Sequence, residues 1–152
     1  MKASELRIGS LVFLDNEQSW PDLIGIPMEV ITITSHLEKY DKEFFPESDY
    51  KLTLKGKCGI YNQFSQFIKP IELSEELLVI LGFESRNSTY IIENDKYEFS
   101  LFFYDAWNLY YKEKEKYGDT EIELCGYWHI HELQNLFFAL TGEELQIQND
   151  GK

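Results

Sequence analysis

The residues of this 152-residue chain that could do chemistry are few and gather near its end, where Trp128 to Leu145 read WHIHELQNLFFALTGEEL. His129 and His131 form a His-x-His pair, and His36 is a third imidazole far upstream. On a strand, that spacing points both rings to one face, as a metal site needs; at a helix start the two diverge by about 200°. A strand-to-helix junction falls on these residues, and no second ligand motif accompanies them. Capping or partly exposed histidines are therefore the favoured reading, and no metal or other cofactor is expected.

Gln134 and Asn135 follow on the same stretch. Amides among aromatic rings suit stacking on, and hydrogen bonding to, a nucleobase. The plainer reading is exposed polar residues or a bond to a neighbouring loop. Cys58 and Cys125 stand apart with no Cys-x-x-Cys, which reads as two reduced thiols. Cys125 lies close to His129 in sequence, but such proximity is no sign of a Cys-His nucleophile. No nucleophile-elbow, phosphate-loop, dinucleotide or zincin motif is present. The carboxylate pairs Glu75-Glu76 and Glu143-Glu144 sit at helix and turn edges, where they cap and solvate. Catalysis has no positive signal, so an enzyme is disfavoured.

The charge points the same way. The net charge is −13, from 14 basic and 27 acidic residues. Such a field repels phosphate backbones, so direct nucleic-acid binding is not expected. Arg7 and Arg86 are the two arginines, the side chains best shaped to hold an anion against that field. The start, MKASELRIG, has no apolar signal core, and the run Leu77 to Leu81 is too short to cross a bilayer. The expectation is a soluble, cytosolic protein that does not engage membranes.

Elements that must position these groups can be read from periodicity. Aromatics make up 16% of the chain, which favours strands. Strands are expected over residues 6–15, 28–34, 50–54 and 60–68, with loops over 15–27 and 36–49 and a turn at 56–59. Ser74 caps a helix over about 74–81, with Leu77, Leu78 and Leu81 as its stripe, Gly82 as its stop and Phe83 folding back. Two hairpins follow. The first pairs residues 90–92 with 97–104 around Asn94-Asp95; the second turns near Gly118-Asp119 and returns over 120–127. The run Lys112 to Lys116 reads as a solvated strand edge. A closing helix over about 129–141 places Ile130, Leu133, Leu136, Phe137 and Leu140 on one face, stops at Gly142, and precedes a short strand over 143–147. The fold class is α+β, mostly antiparallel β-strands and hairpins with two helices. The chain is one compact domain, or two small lobes (1–72 and 83–147) around the 74–81 helix.

Three stretches carry a resemblance. ASELRIGSLV, KPIELSEELLVILGFE and HELQNLFFALTGEEL are similar to segments of a protein family common in Bacteroidetes phages and integrated mobile elements. Ser10 stands where the family has asparagine, and His129 departs from the pattern whereas His131 keeps it. The resemblance implies a phage or mobile-element origin and action in the host cytosol, and it supplies no activity. The expected function is a non-enzymatic accessory protein that acts by binding, in its sharper form a counter-defence protein sequestering a small nucleotide-type signal. His131, Gln134, Asn135, Arg7 and Arg86 are the candidate ligand-binding residues. Two alternatives stand beside it: an acidic protein-binding inhibitor or nucleic-acid mimic of a host defence factor, and an enzyme of unrecognised type built around His131.

Overall fold

The computed structural model describes residues 1–114, 120–126 and 128–148. Among them are ten strands in two antiparallel sheets and three α-helices, an α+β arrangement dominated by strands. The chain divides into two units, Met1–Glu72 with His129–Leu136, and Leu73–Trp128 with Phe137–Lys152.

The first unit is built on β1 (Leu11–Leu14), β2 (Pro27–Thr34), β3 (Lys51–Gly56), β4 (Gly59–Phe64) and β5 (Ile68–Lys69). They lie in the order β4-β3-β2-β1-β5, each antiparallel to its neighbour. Alternation drives this sheet. Leu52 and Leu54 of β3 are fully buried, while Lys51, Thr53 and Lys55 take the other face, as period-two patterning requires. Tyr50, Val12, Leu14, Met28 and Val30 complete the same core. A register shift between Val30 and Thr32 re-aims β2 after its buried half.

Three expectations change here. The residues 60–68 are not one strand: β4 ends at Phe64, a 3₁₀ turn over Ser65–Phe67 redirects the chain, and β5 pairs at the opposite edge beside β1. The expected first strand is shorter, because Gly9 takes φ +92° and bends the chain before Leu11. The expected 36–49 loop contains α1 (Lys39–Phe44). Its one buried residue is Asp41, so no apolar stripe announces it.

The second unit holds α2 (Glu75–Ile80) and a meander of β6 (Glu84–Arg86), β7 (Thr89–Glu93), β8 (Tyr97–Phe103), β9 (Trp107–Glu113) and β10 (Thr120–Gly126). Ser74 caps α2 as expected, its hydroxyl accepting from the Leu77 N–H, and Phe83 returns to bond the Leu78 carbonyl. β6 is an addition to the expected hairpins. Its turn uses Asn87 and Ser88, both at positive φ (51° and 64°), the geometry of a tight hairpin turn. The turn expected near Gly118-Asp119 lies outside the described residues. Residues 144–148 belong to no strand; the Gln148 N–H donates to the Ile80 carbonyl instead.

The final helix, α3 (Ile130–Thr141), supplies its first turns to the first unit and its last turns to the second. In the second unit Phe137 meets Phe99 edge-on at 5.2 Å and Tyr97 at 5.8 Å. Phe99, Leu101 and Leu109 beneath are fully buried. Pairs of this geometry add about 0.5–1.5 kcal/mol each beyond area burial. Gly142 ends α3 at φ +72°, its N–H donating to the Phe138 carbonyl, and a Cβ there would meet nothing within 4 Å. The cost of a side chain at this position is therefore backbone strain alone. Gly142→Ala should lower unfolding stability by about 1–2 kcal/mol, measured by urea denaturation, and Gly142→Asn should cost less.

Candidate functional site

The candidate residues separate by unit. Arg7, His131, Gln134 and Asn135 belong to the first, and Arg86 to the second.

At the start of α3, the Ile130 N–H donates to the Ile71 carbonyl at 2.8 Å and fixes where the helix begins. Glu132 in the first turn folds back. Its carboxylate accepts from the His129 N–H at 2.8 Å and lies 3.1 Å from His129 Nδ1. Burial pushes this carboxyl up, but the His129 backbone and ring bonds outweigh it and hold it below the usual range.

One turn on, Gln134 is 1% exposed. Its Nε2 donates to the Gly9 carbonyl at 3.0 Å, and its Oε1 accepts from the Leu11 N–H at 2.9 Å. A side-chain amide thus takes the place of a strand partner for the backbone just where Gly9 bends it. Asn135 accepts from Arg7 Nε and donates to the Glu5 carbonyl, each at 2.8 Å. The Arg7 guanidinium also donates to the Gln134 carbonyl at 2.8 Å, and Ser10 Oγ accepts from the Arg7 N–H. The structure thus brings Arg7, Gln134 and Asn135 together, as a clasp between α3 and the first ten residues. Losing a buried partner in such a clasp costs about 1–3 kcal/mol.

His131 is 3% exposed, and its Nδ1 has no hydrogen-bond partner. Its ring stacks on that of His129 at 5.7 Å and 23°. No group of three or more His, Cys, Asp or Glu that could hold a metal occurs among the described residues. His36 is exposed between β2 and α1, and Cys58 and Cys125 are exposed free thiols. Arg86 is held by Glu84 and Glu93, each at 2.6 Å, and these two carboxylates in that order raise its pKa. No helix among the described residues is long and apolar enough to cross a membrane.

A concavity of about 280 Å³ lies elsewhere in the first unit, lined by Thr34, Lys51, Leu52, Thr53, Asn62, Gln63 and Phe64. Lys51 Nζ bonds Asp41 at 2.6 Å and sits 5.0 Å from the Phe64 ring centre. That ammonium is the largest cause holding the Asp41 carboxyl below its usual range. The Lys51-Thr53 alternation is visible in sequence, but Asp41 and Phe64 join it only through the fold. The chain matches no family model, no curated protein and no solved structure.

The burial of His131 ties the stability of the fold to pH. Burial is the main cause that lowers its pKa, with Glu132 opposing and His129 adding to the shift. A base whose folded pKa lies below its unfolded value of about 6.5 stabilises the fold least in acid. The contribution is complete above pH 6.5 and is lost as pH falls through the folded value. Urea midpoints should hold steady above pH 6.5 and decline as pH falls below it, and His131→Phe should flatten that decline.

Proposed function

We propose that this protein acts by binding, without catalysis, and that its partner is a protein with a basic surface. The observation that carries this reading is where the charge lies. The second unit holds 15 acidic against 6 basic residues, and the first 12 against 8. A surface of one dominant sign steers oppositely charged partners and repels nucleic acid. The similarity of three segments to phage and mobile-element proteins favours an accessory role in a bacterial host, where an acidic body occupies the basic site of a defence factor.

A second reading is a small nucleotide-type ligand. The concavity beside Phe64 favours it, since it joins a ring, the Asn62 amide, two threonine hydroxyls and the Lys51 ammonium. The clasp residues favour it less, because Gln134, Asn135 and Arg7 already make hydrogen bonds within the chain. His131, at 3% exposure, offers little surface to a ligand or a substrate.

Capture from a host lysate separates the readings. The basic-partner reading expects a protein retained at low salt and released at high salt, because exposed charge pairs are screened. Retention should fall when Glu121→Gln and Glu123→Gln are combined in the second unit. Capture that ignores both salt and these substitutions would contradict it. Native mass spectrometry with a nucleotide panel, showing a complex abolished by Asn62→Ala, would favour the second reading.

A further inference from the structure

Four strands end the two sheets, and they differ in how well they resist pairing. β5 has two residues and β6 three, too few to template a neighbour. β10 has seven but carries Glu121 and Glu123, so a second strand of the same kind would set carboxylate against carboxylate. β4 is unlike these. Its six residues, GIYNQF, include no charge and no proline, and among the described residues it pairs with β3 alone. Natural edges are guarded by charge, proline, bulges, brevity or a covering segment, and β4 carries none of the first four.

We propose that β4 is the interface through which two copies of this chain pair, antiparallel about a two-fold axis at Asn62. The occupant follows from what that register sets together. Asn62 falls opposite Asn62. Its Oδ1 already accepts from Thr53 Oγ1 at 2.9 Å, while its NH₂ makes no hydrogen bond among the described residues and can donate to the other copy. Ile60, 66% exposed, falls opposite Phe64, an aromatic–branched pair of the kind that stabilises neighbouring strands. On the other face Tyr61 falls opposite Gln63, a 7%-exposed residue whose amide makes no hydrogen bond within the described chain. Two like-charged molecules can meet here because the strand itself is uncharged. Closed two-fold pairing is also the commonest way identical chains associate.

Sedimentation of the purified chain tests this directly. A concentration-dependent dimer is expected at high micromolar protein. Ile60→Lys, at an exposed position, should weaken it about tenfold or more, because the substitution acts twice per dimer, while the circular dichroism melt stays unchanged. The register has its own test in a Cys58→Ser, Cys125→Ser background. Asn62→Cys should oxidise to a covalent dimer, since directly opposed residues lie within disulfide reach, and Ile60→Cys should not. A wild-type chain that stays monomeric, a dimer indifferent to Ile60→Lys, or equal cross-linking by both cysteine variants would each overturn the proposal.

Discussion

The first unit depends on one exchange of hydrogen bonds. Gly9 bends the chain ahead of β1, and a bend leaves backbone groups without strand partners. Buried and unpaired, the Gly9 carbonyl and the Leu11 N–H would oppose folding. The Gln134 amide, with one donor end and one acceptor end, satisfies both. Asparagine or serine would be too short to span that gap from a helix. Arg7 and Asn135 extend the same clasp outward to the Glu5 carbonyl and the Gln134 carbonyl. The start of the chain and the start of α3 are thus set by one another.

That dependence decides how the conspicuous polar residues are understood. In sequence, a histidine, a glutamine and an asparagine beside aromatic residues have the composition of a ligand-reading edge. In the fold the two amides carry backbone hydrogen bonds, and His131 is enclosed. The acidic excess of the second unit and the uncharged β4 edge of the first are surfaces of a different kind. One suits an oppositely charged partner, and the other a strand without charge.

Much of the fold was legible because packing imposes a period. Ile130, Leu133 and Phe137 recur at helical spacing and are all buried, and Gly142 ends the helix where its positive φ is needed. Tyr97, Phe99 and Leu101 alternate and line one sheet face. The failures share a cause. α1 exposes Tyr40 and Phe44 and is held through Asp41 and Lys51, a pair no local pattern reveals. β6 is short and polar, so its place follows from the Asn87-Ser88 turn rather than from hydrophobicity. The amides of Gln134 and Asn135 were conspicuous in sequence, but their partners lie at the other end of the chain. A backbone carbonyl or N–H leaves no mark in a residue pattern.

The most direct test of the clasp is a double-mutant cycle between Arg7 and Asn135, read as unfolding free energy. If the two side chains act on each other, Arg7→Ala and Asn135→Ala together should cost less than the sum of the single losses, by about 1 kcal/mol or more. Additive losses would mean that the pair does not hold α3 to the start of the chain.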